Sequence, residues 1–205
     1  MDDTHNTLVS NALGRDRFEH ILTNLHCCDN DNLEKNDRFA KVRPLFNAIN
    51  KRCLEIAPHV ENHSIDEAMV RYFGRHPGKQ YIKCKPIRYG YKLWVGSTSS
   101  GYVIFVDLYQ GANSQMEKHS SLGFGPSIVL TYADVITSKI NASYHLYFDN
   151  FFSTVPLLEE LSRRKLKGTG TIRENRRAKC PLPKNKEFKK KSRGTYDRTT
   201  ENNSL

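Results

Sequence analysis

Two stretches decide the fold: Ser64-Ile65-Asp66-Glu67-Ala68-Met69-Val70 and Tyr144-His145-Leu146-Tyr147-Phe148-Asp149. Each is short, rich in apolar residues and bounded by polar sequence, the pattern of a strand rather than of a helix. Each also carries an aspartate, a residue that strands disfavour. Between them, Tyr89 to Gly96 and Gly101 to Tyr109 are dense in Val, Ile, Tyr, Phe and Trp. Ser97-Thr98-Ser99-Ser100 separates them, so they read as a hairpin. Residues 74–88 hold Gly74, Pro77, Gly78 and Pro86 among charges and read as a loop. So does the polar run 111–124.

Pro126 to Lys139 predicts a helix, with Ile128, Val129, Tyr132, Val135 and Ile136 on one face. A second helix is predicted from Val155 to Arg164 on Leu157, Leu158 and Leu161. Thr169-Gly170-Thr171-Ile172 reads as a last strand. The order from residue 63 is thus strand, strand, strand, helix, strand, helix, strand. It specifies an α/β fold, a mixed sheet with flanking helices, in the order of the RNase H-like architecture. Many folds share parts of that order.

Upstream, residues 16–28 predict a helix on Phe18, Ile21, Leu22 and Leu25, with Asp16 and Glu19 at capping-box spacing. Residues 42–57 predict another, on Val42, Leu45, Phe46, Ile49, Cys53 and Ile56, ended by Pro58. The organisation expected is a small helical module over 1–62, an RNase H-like core over 63–177, and a basic tail over 178–205.

The chain has 205 residues and a net charge of +10. Arg163 to Arg193 holds 14 Lys/Arg against Glu174 and Glu187, a balance of +12, so the remainder sums to −2. Such a block suits a polyanion, commonly nucleic acid, or a solvated tail or import signal. No apolar run approaches the ~18 residues of a membrane span. The N-terminus Met1-Asp2-Asp3-Thr4 does not read as a secretory signal, so a soluble, intracellular protein is expected. The five cysteines, Cys27, Cys28, Cys53, Cys84 and Cys180, lack zinc-site spacing and read as thiols in a reducing compartment.

In an RNase H-like sheet the first and fourth strands are neighbours, which would bring Asp66 and Asp149 together. Two carboxylates so placed can share a pair of divalent cations about 4 Å apart, the arrangement that activates an attacking oxygen and stabilises a leaving one. On spacing alone, Asp66 could equally face water and Asp149 could simply cap a turn. Glu67, next along the strand, is expected on the opposite face and outside the ligand set. Arg71, Arg75, Lys79, Lys83, Lys85 and Arg88 follow Asp66, interleaved with Tyr72, Phe73 and Tyr81. They could hold phosphates and stack on unpaired bases, or be an ordinary solvated loop. His63 and Trp94 read as structural.

The stretch Ser64 to Met69, then Lys85-Pro86-Ile87-Arg88-Tyr89-Gly90-Tyr91-Lys92-Leu93-Trp94, Phe148-Asp149-Asn150-Phe151-Phe152-Ser153-Thr154 and Gly168-Thr169-Gly170-Thr171-Ile172-Arg173-Glu174-Asn175-Arg176, resembles the catalytic domain of piggyBac-type transposases. The likeness runs from about residue 15 to 183 and is strongest to transposable element-derived members. It implies that Asp66 and Asp149 are catalytic metal ligands for two Mg²⁺ ions. It also implies DNA cleavage and strand transfer at element ends and TTAA targets, part of a dimerisation and DNA-binding domain in the N-terminal helices, and action in the nucleus. Arg173, Arg176 and Arg177 become phosphate contacts by the same resemblance, and the tail reads as the start of an insertion domain. One departure matters. The family's third catalytic Asp lies later, in a Gly-Val-Asp-like setting that none of Glu159, Glu160, Glu174, Glu187, Asp197 and Glu201 shares. The RNase H-like core is therefore expected to be incomplete and the chain alone inactive or nearly so. The alternatives are a DNA-binding protein without catalysis and a truncated gene model.

Overall fold

The computed structural model describes residues 6–83, 85–111, 119–177, 180–183 and 185–200. The chain divides into two compact units, Met1–Ala48 and Ile49–Leu205.

The first unit holds α1 (Thr7–Ala12) and α2 (Arg15–Asn24), and α3 (Arg43–Ile56) begins in it. The sequence gives no apolar period for α1, which starts on a local cap: the Asn6 side chain accepts from the Leu8 and Val9 amides. The capping box expected at Asp16 and Glu19 does not form. Helix α2 starts one residue earlier, on Gly14 without a side-chain cap, and Glu19 pairs instead with Arg15 at 2.9 Å. Asp16 thereby sits in the first turn, where its charge suits the helix dipole. Phe18, Ile21, Leu22 and Leu25 all remain exposed. Ahead of α3, the buried Asp37 takes Arg43 Nε at 2.7 Å and the Phe39 amide at 2.8 Å. The Arg43 guanidinium holds its carboxyl below the usual range.

Among the described residues the second unit has six strands: β1 (Asn62–Arg71), β2 (Gln80–Tyr81), β3 (Tyr89–Thr98), β4 (Val103–Leu108), β5 (His145–Phe148) and β6 (Lys167–Gly170). Helices α4 (Phe124–Lys139) and α5 (Val155–Arg163) accompany them, with a short α6 (Asn185–Phe188) near the end. Strand β3 pairs antiparallel with β1 on one side and with β2 and β4 on the other. Strand β1 then pairs parallel with β5, and β5 with β6. Three antiparallel strands followed by two parallel ones, each parallel strand entered through a helix, is the RNase H-like sheet the sequence order predicts.

Alternation on β1 shows how this sheet is seated. His63 and Ile65 are buried, while Ser64 and Asp66 are exposed. On the buried side lies α4, whose Ile128, Val129, Leu130, Tyr132, Ala133 and Ile136 are all no more than 2% exposed. Each Ile, Val or Leu among them removed from water contributes roughly 1.5–3 kcal/mol, which makes α4 the centre of the core. Gly96 of β3 admits the Tyr132 ring, because a Cβ there would fall 2.2 Å from it. Tyr132 Oη reaches His63 Nδ1 at 2.8 Å, and His63 Nε2 meets the Val60 carbonyl at 3.0 Å. His63 is thus structural, as its place in the sequence suggests, and Trp94 is core at 1% exposure. Helix α5 opens on Thr154, whose side chain accepts from the Leu157 amide, and buries Leu157 and Leu161.

Three expectations shift. Of α3, it is Leu54, with Ala57 just past its end, that packs on this core, while Leu45, Ile49 and Ile56 of the expected stripe stay exposed. The loop read over 74–88 contains the two-residue β2. The last strand is Lys167–Gly170, two residues before the β-branched stretch, because Gly168 and Gly170 approach Leu161 and Phe148 where a side chain would collide. Cys84 and residues 112–118 of the polar loop lie outside the described residues. Among the described residues no helix is long and apolar enough to cross a membrane.

Candidate active site

Parallel pairing of β1 with β5 ends at Ile65 opposite Phe148. Asp66 is the next residue of β1 and Asp149 the first after β5, so they stand side by side at about the 4.8 Å spacing of neighbouring strands. Asp149 also shapes the turn that follows. Its Oδ1 accepts from the Phe151 amide at 2.7 Å, and its carbonyl accepts from the Phe152 and Ser153 amides and the Ser153 hydroxyl. Asp66 Oδ1 accepts from the Glu67 amide at 2.8 Å. The turn-capping reading of Asp149 and its placement beside Asp66 both hold.

Although water reaches Asp66, its packed surroundings raise its carboxyl above the ordinary range. The Glu67 amide opposes this, the charges of Glu67 and Asp149 add to the rise, and Lys85 offsets part of it. Clustered acids of one sign resist ionising together, and a cation relieves them. The chemistry of the pair, two hard oxygen donors at a wet opening, fits Mg²⁺, which takes few protein ligands and fills its shell with water or phosphate oxygen. Among the described residues, no group of three or more His, Cys, Asp or Glu is arranged to hold an ion.

Glu67 is the residue that sequence reasoning set aside. Its carboxyl comes within hydrogen-bonding reach of Asp66 and binds Lys85 Nζ at 2.7 Å. Burial would raise it, but Lys85 and Lys92 hold it below the usual range. Successive side chains still alternate between the two faces along β1. Past Ile65, β1 has lost β5 as a neighbour, so side chains of both parities reach the same opening. A signal was present in the charges: from Ala68 to Val106 there are seven Lys/Arg and no acid, so Glu67 is the nearest countercharge.

Lys85 is accordingly brought to the carboxylates, its ammonium stabilised first by Glu67 and further by Asp66 and Asp149. Lys92 joins them from β3. Its ammonium lies 4.0 Å from the Trp94 ring centroid and 5.0 Å from that of Phe151, and burial lowers its pKa against the pull of the carboxylates. Trp94 and Phe151 stack at 5.3 Å, which ties the turn after Asp149 to β3. Arg71, at the end of β1, and Arg75, Lys83 and Arg88 beyond it are exposed. Arg173 and Arg176 return to the Asp149 turn. Arg173 Nε donates to Asn150 Oδ1 at 3.0 Å, and Arg176 to the Asn150 and Phe151 carbonyls at 3.2 and 3.0 Å. Arg177 instead meets the Pro183 carbonyl at 3.0 Å and Glu174 at 3.9 Å.

Comparison with known proteins identifies the family. The family model described as Transposase IS4 matches residues 1–205. The human PiggyBac transposable element-derived protein 3 is 46% identical over 195 residues, 95% of this chain and 33% of that protein. The human PiggyBac transposable element-derived protein 2 is 42% identical over the same share of each. A piggyBac transposase solved by cryo-EM, as a synaptic complex with hairpin DNA, superposes with a TM-score of 0.71 at 27% identity, over 93% of this chain and 39% of that one. The chain spans about a third of the length of these curated relatives. It belongs to the Transposase IS4 family and is of the piggyBac type.

Proposed function

We propose that this chain carries the Asp66–Asp149 half of a metal-dependent phosphoryl-transfer site for DNA, with a basic surface beside it that holds the DNA backbone. The observation that carries the reading is the parallel β1–β5 pairing, which sets two acids from distant segments next to each other with Glu67 and Lys85 at the same opening. Asp66 and Asp149 would hold Mg²⁺, which when bound supplies charge to the reacting phosphate and its attacking oxygen. The chain's own part is positional. Asp149 is fixed by its turn, Asp66 by the middle of a strand, and Lys85 offers an ammonium beside both. Arg71, Arg75, Lys83, Lys85 and Arg88 contact phosphates, with the exposed guanidinium of Arg173 as a further contact. Arg176 and Arg177, engaged with carbonyls, hold their loops first and reach phosphate only if those bonds open. The solved relative's hairpin DNA supports a DNA partner here. Element ends and TTAA targets as that DNA, a homodimer and a nuclear setting are part of the same proposal.

Two aspartates make a weaker centre than three, because positioning the ions is most of the catalysis. Cleavage by this chain alone is therefore slow or nil. A second reading, a DNA-binding protein that has given up the chemistry, is favoured by the engagement of Glu67 with Lys85, which leaves the nearest extra carboxylate paired to an ammonium. One experiment separates the two. Supercoiled DNA bearing element ends is incubated with the chain and Mg²⁺, and retention on the protein is followed against salt. Six phosphate contacts give a log–log salt slope of about −5.4. Nicking that disappears in Asp66→Ala establishes the enzymatic reading, and retention without nicking establishes the binding one. A chain that neither nicks nor retains DNA contradicts both.

A further inference from the structure

The far end of the β1–β3 ribbon holds aromatic rings that neither the core nor the carboxylate site uses. Phe73 is 72% exposed, Tyr81 55% and Tyr89 46%. Tyr81 and Tyr89 are cross-strand partners with ring centroids 4.8 Å apart. Lys79 Nζ binds the Gly74 carbonyl at 2.9 Å and the Phe73 carbonyl at 3.4 Å, which fixes the turn bearing Phe73 at the start of β2. Tyr72 and Tyr91 stack beside them, also at 4.8 Å, and burial with the Tyr72 hydrogen bond pushes Tyr91 up to about 12.

Register decides which face these rings share. Asp66 pairs with Val95 and Val70 with Tyr91, without interruption between, and Tyr89 follows Tyr91 by two. Residues two apart on a strand point to one side, so Tyr81, Tyr89 and Asp66 lie on the same face of the sheet. Six residues of β3, from Val95 to Tyr89, cover roughly 20 Å, about six nucleotides of a stacked strand.

Resting on the reading of this chain as DNA-binding, we propose that Phe73, Tyr81 and Tyr89 form a stacking ledge for unpaired nucleotides of a DNA strand leading from the carboxylate pair. Charge selects the partner. The segment from Ala68 to Val106 carries seven Lys/Arg and no acid, a setting for a polyanion rather than for an apolar protein surface. Rings select its form. A duplex presents phosphates and base edges, whereas an unpaired strand presents base faces, and an exposed ring can cover those faces whatever the sequence. Arg71, Arg75, Lys83 and Arg88 would track the backbone while the rings hold the bases.

The test uses the full chain with a dye-labelled oligothymidylate and a duplex of equal length, read by fluorescence anisotropy. The triple variant Phe73→Leu, Tyr81→Leu, Tyr89→Leu is expected to lose single-strand affinity by about a thousandfold, at roughly tenfold per ring, with duplex affinity within about threefold. Phe73→Leu alone, at the most exposed ring, is expected to lose about tenfold on the single strand and guards against a ribbon that fails to fold. Arg71→Gln with Arg88→Gln weakens both probes together. Equal loss on both probes in the aromatic variants, or none on the single strand, overturns the ledge. A native chain that holds duplex but not the single strand also overturns it while leaving the DNA-binding reading intact. Failure of the native chain on both probes defeats that reading and the ledge with it.

Discussion

Gly125→Ala would test how tightly the core holds the turn bearing Asp149. Gly125 lies in the first turn of α4, and a Cβ there would fall 2.6 Å from the Phe151 carbonyl oxygen and 3.1 Å from Phe152 Cα. Both are backbone atoms, so no side chain can swing aside. Ordinary contact begins near 3.4 Å, so the turn must retreat by roughly 0.8 Å. It is not free to do so, because the same carbonyl accepts from Arg176 at 3.0 Å and Phe151 stacks on Trp94. Overpacking of this kind costs about 1–3 kcal/mol. Alanine's helix preference returns up to ~1 kcal/mol, less in a first turn. The net expectation is a loss of about 1–2 kcal/mol, read as a lower urea midpoint at unchanged m-value. A variant as stable as the native chain, or more so, would refute the claim that α4 and the Asp149 turn meet backbone to backbone.

Leu161→Ala, at a fully buried site between α5 and the sheet, is expected to cost about 2–5 kcal/mol by the same measurement. Asp66→Asn should move the other way, raising stability by a few tenths of a kcal/mol to ~1, since it removes a carboxylate that its surroundings and neighbours disfavour. A destabilised variant would show that Asp66 holds the fold rather than a ligand. His63 gives a pH dependence. Burial lowers its folded pKa, so between the folded and unfolded values the unfolded chain binds more protons, and stability present above pH ~6.5 falls as the pH drops. Urea midpoints at pH 7.5, 6.5 and 5.5 should decline, by no more than ~1.4 kcal/mol per pH unit from this group, and His63→Asn should flatten the decline. An unchanged slope in His63→Asn would assign the effect elsewhere.

Much of the sheet was legible because its strands obey local rules. Alternation at His63, Ile65 and Asp66 and the apolar run 144–149 mark β1 and β5, and the hairpin around Ser97–Ser100 marks β3 and β4. The central helix was legible from Ile128 to Ile136. What escaped depends on the third dimension. Strand β6 is set by glycines that fit against Leu161 and Phe148, a constraint invisible beside the more strand-like Thr171 and Ile172. Asp16 and Glu19 have capping-box spacing, but α2 begins before them. For the site, Asp66 and Asp149 were readable from strand order. Glu67 was set aside because alternation puts it on the face opposite Asp66, although the sheet opens where β5 ends, and Arg176 was taken for a phosphate contact although its partners are carbonyls 25 and 26 residues away.

The central claim is that Asp66 and Asp149 together form a divalent-cation site. Its most direct test is a Mn²⁺ titration of the full chain, followed by the electron paramagnetic resonance signal of free ion, in native protein, Asp66→Asn and Asp149→Asn. Saturable binding is expected in the native chain, weakened at least tenfold by either substitution, with urea midpoints confirming that both variants fold. Native-like Mn²⁺ binding in both folded variants, or none in the native chain, would contradict it.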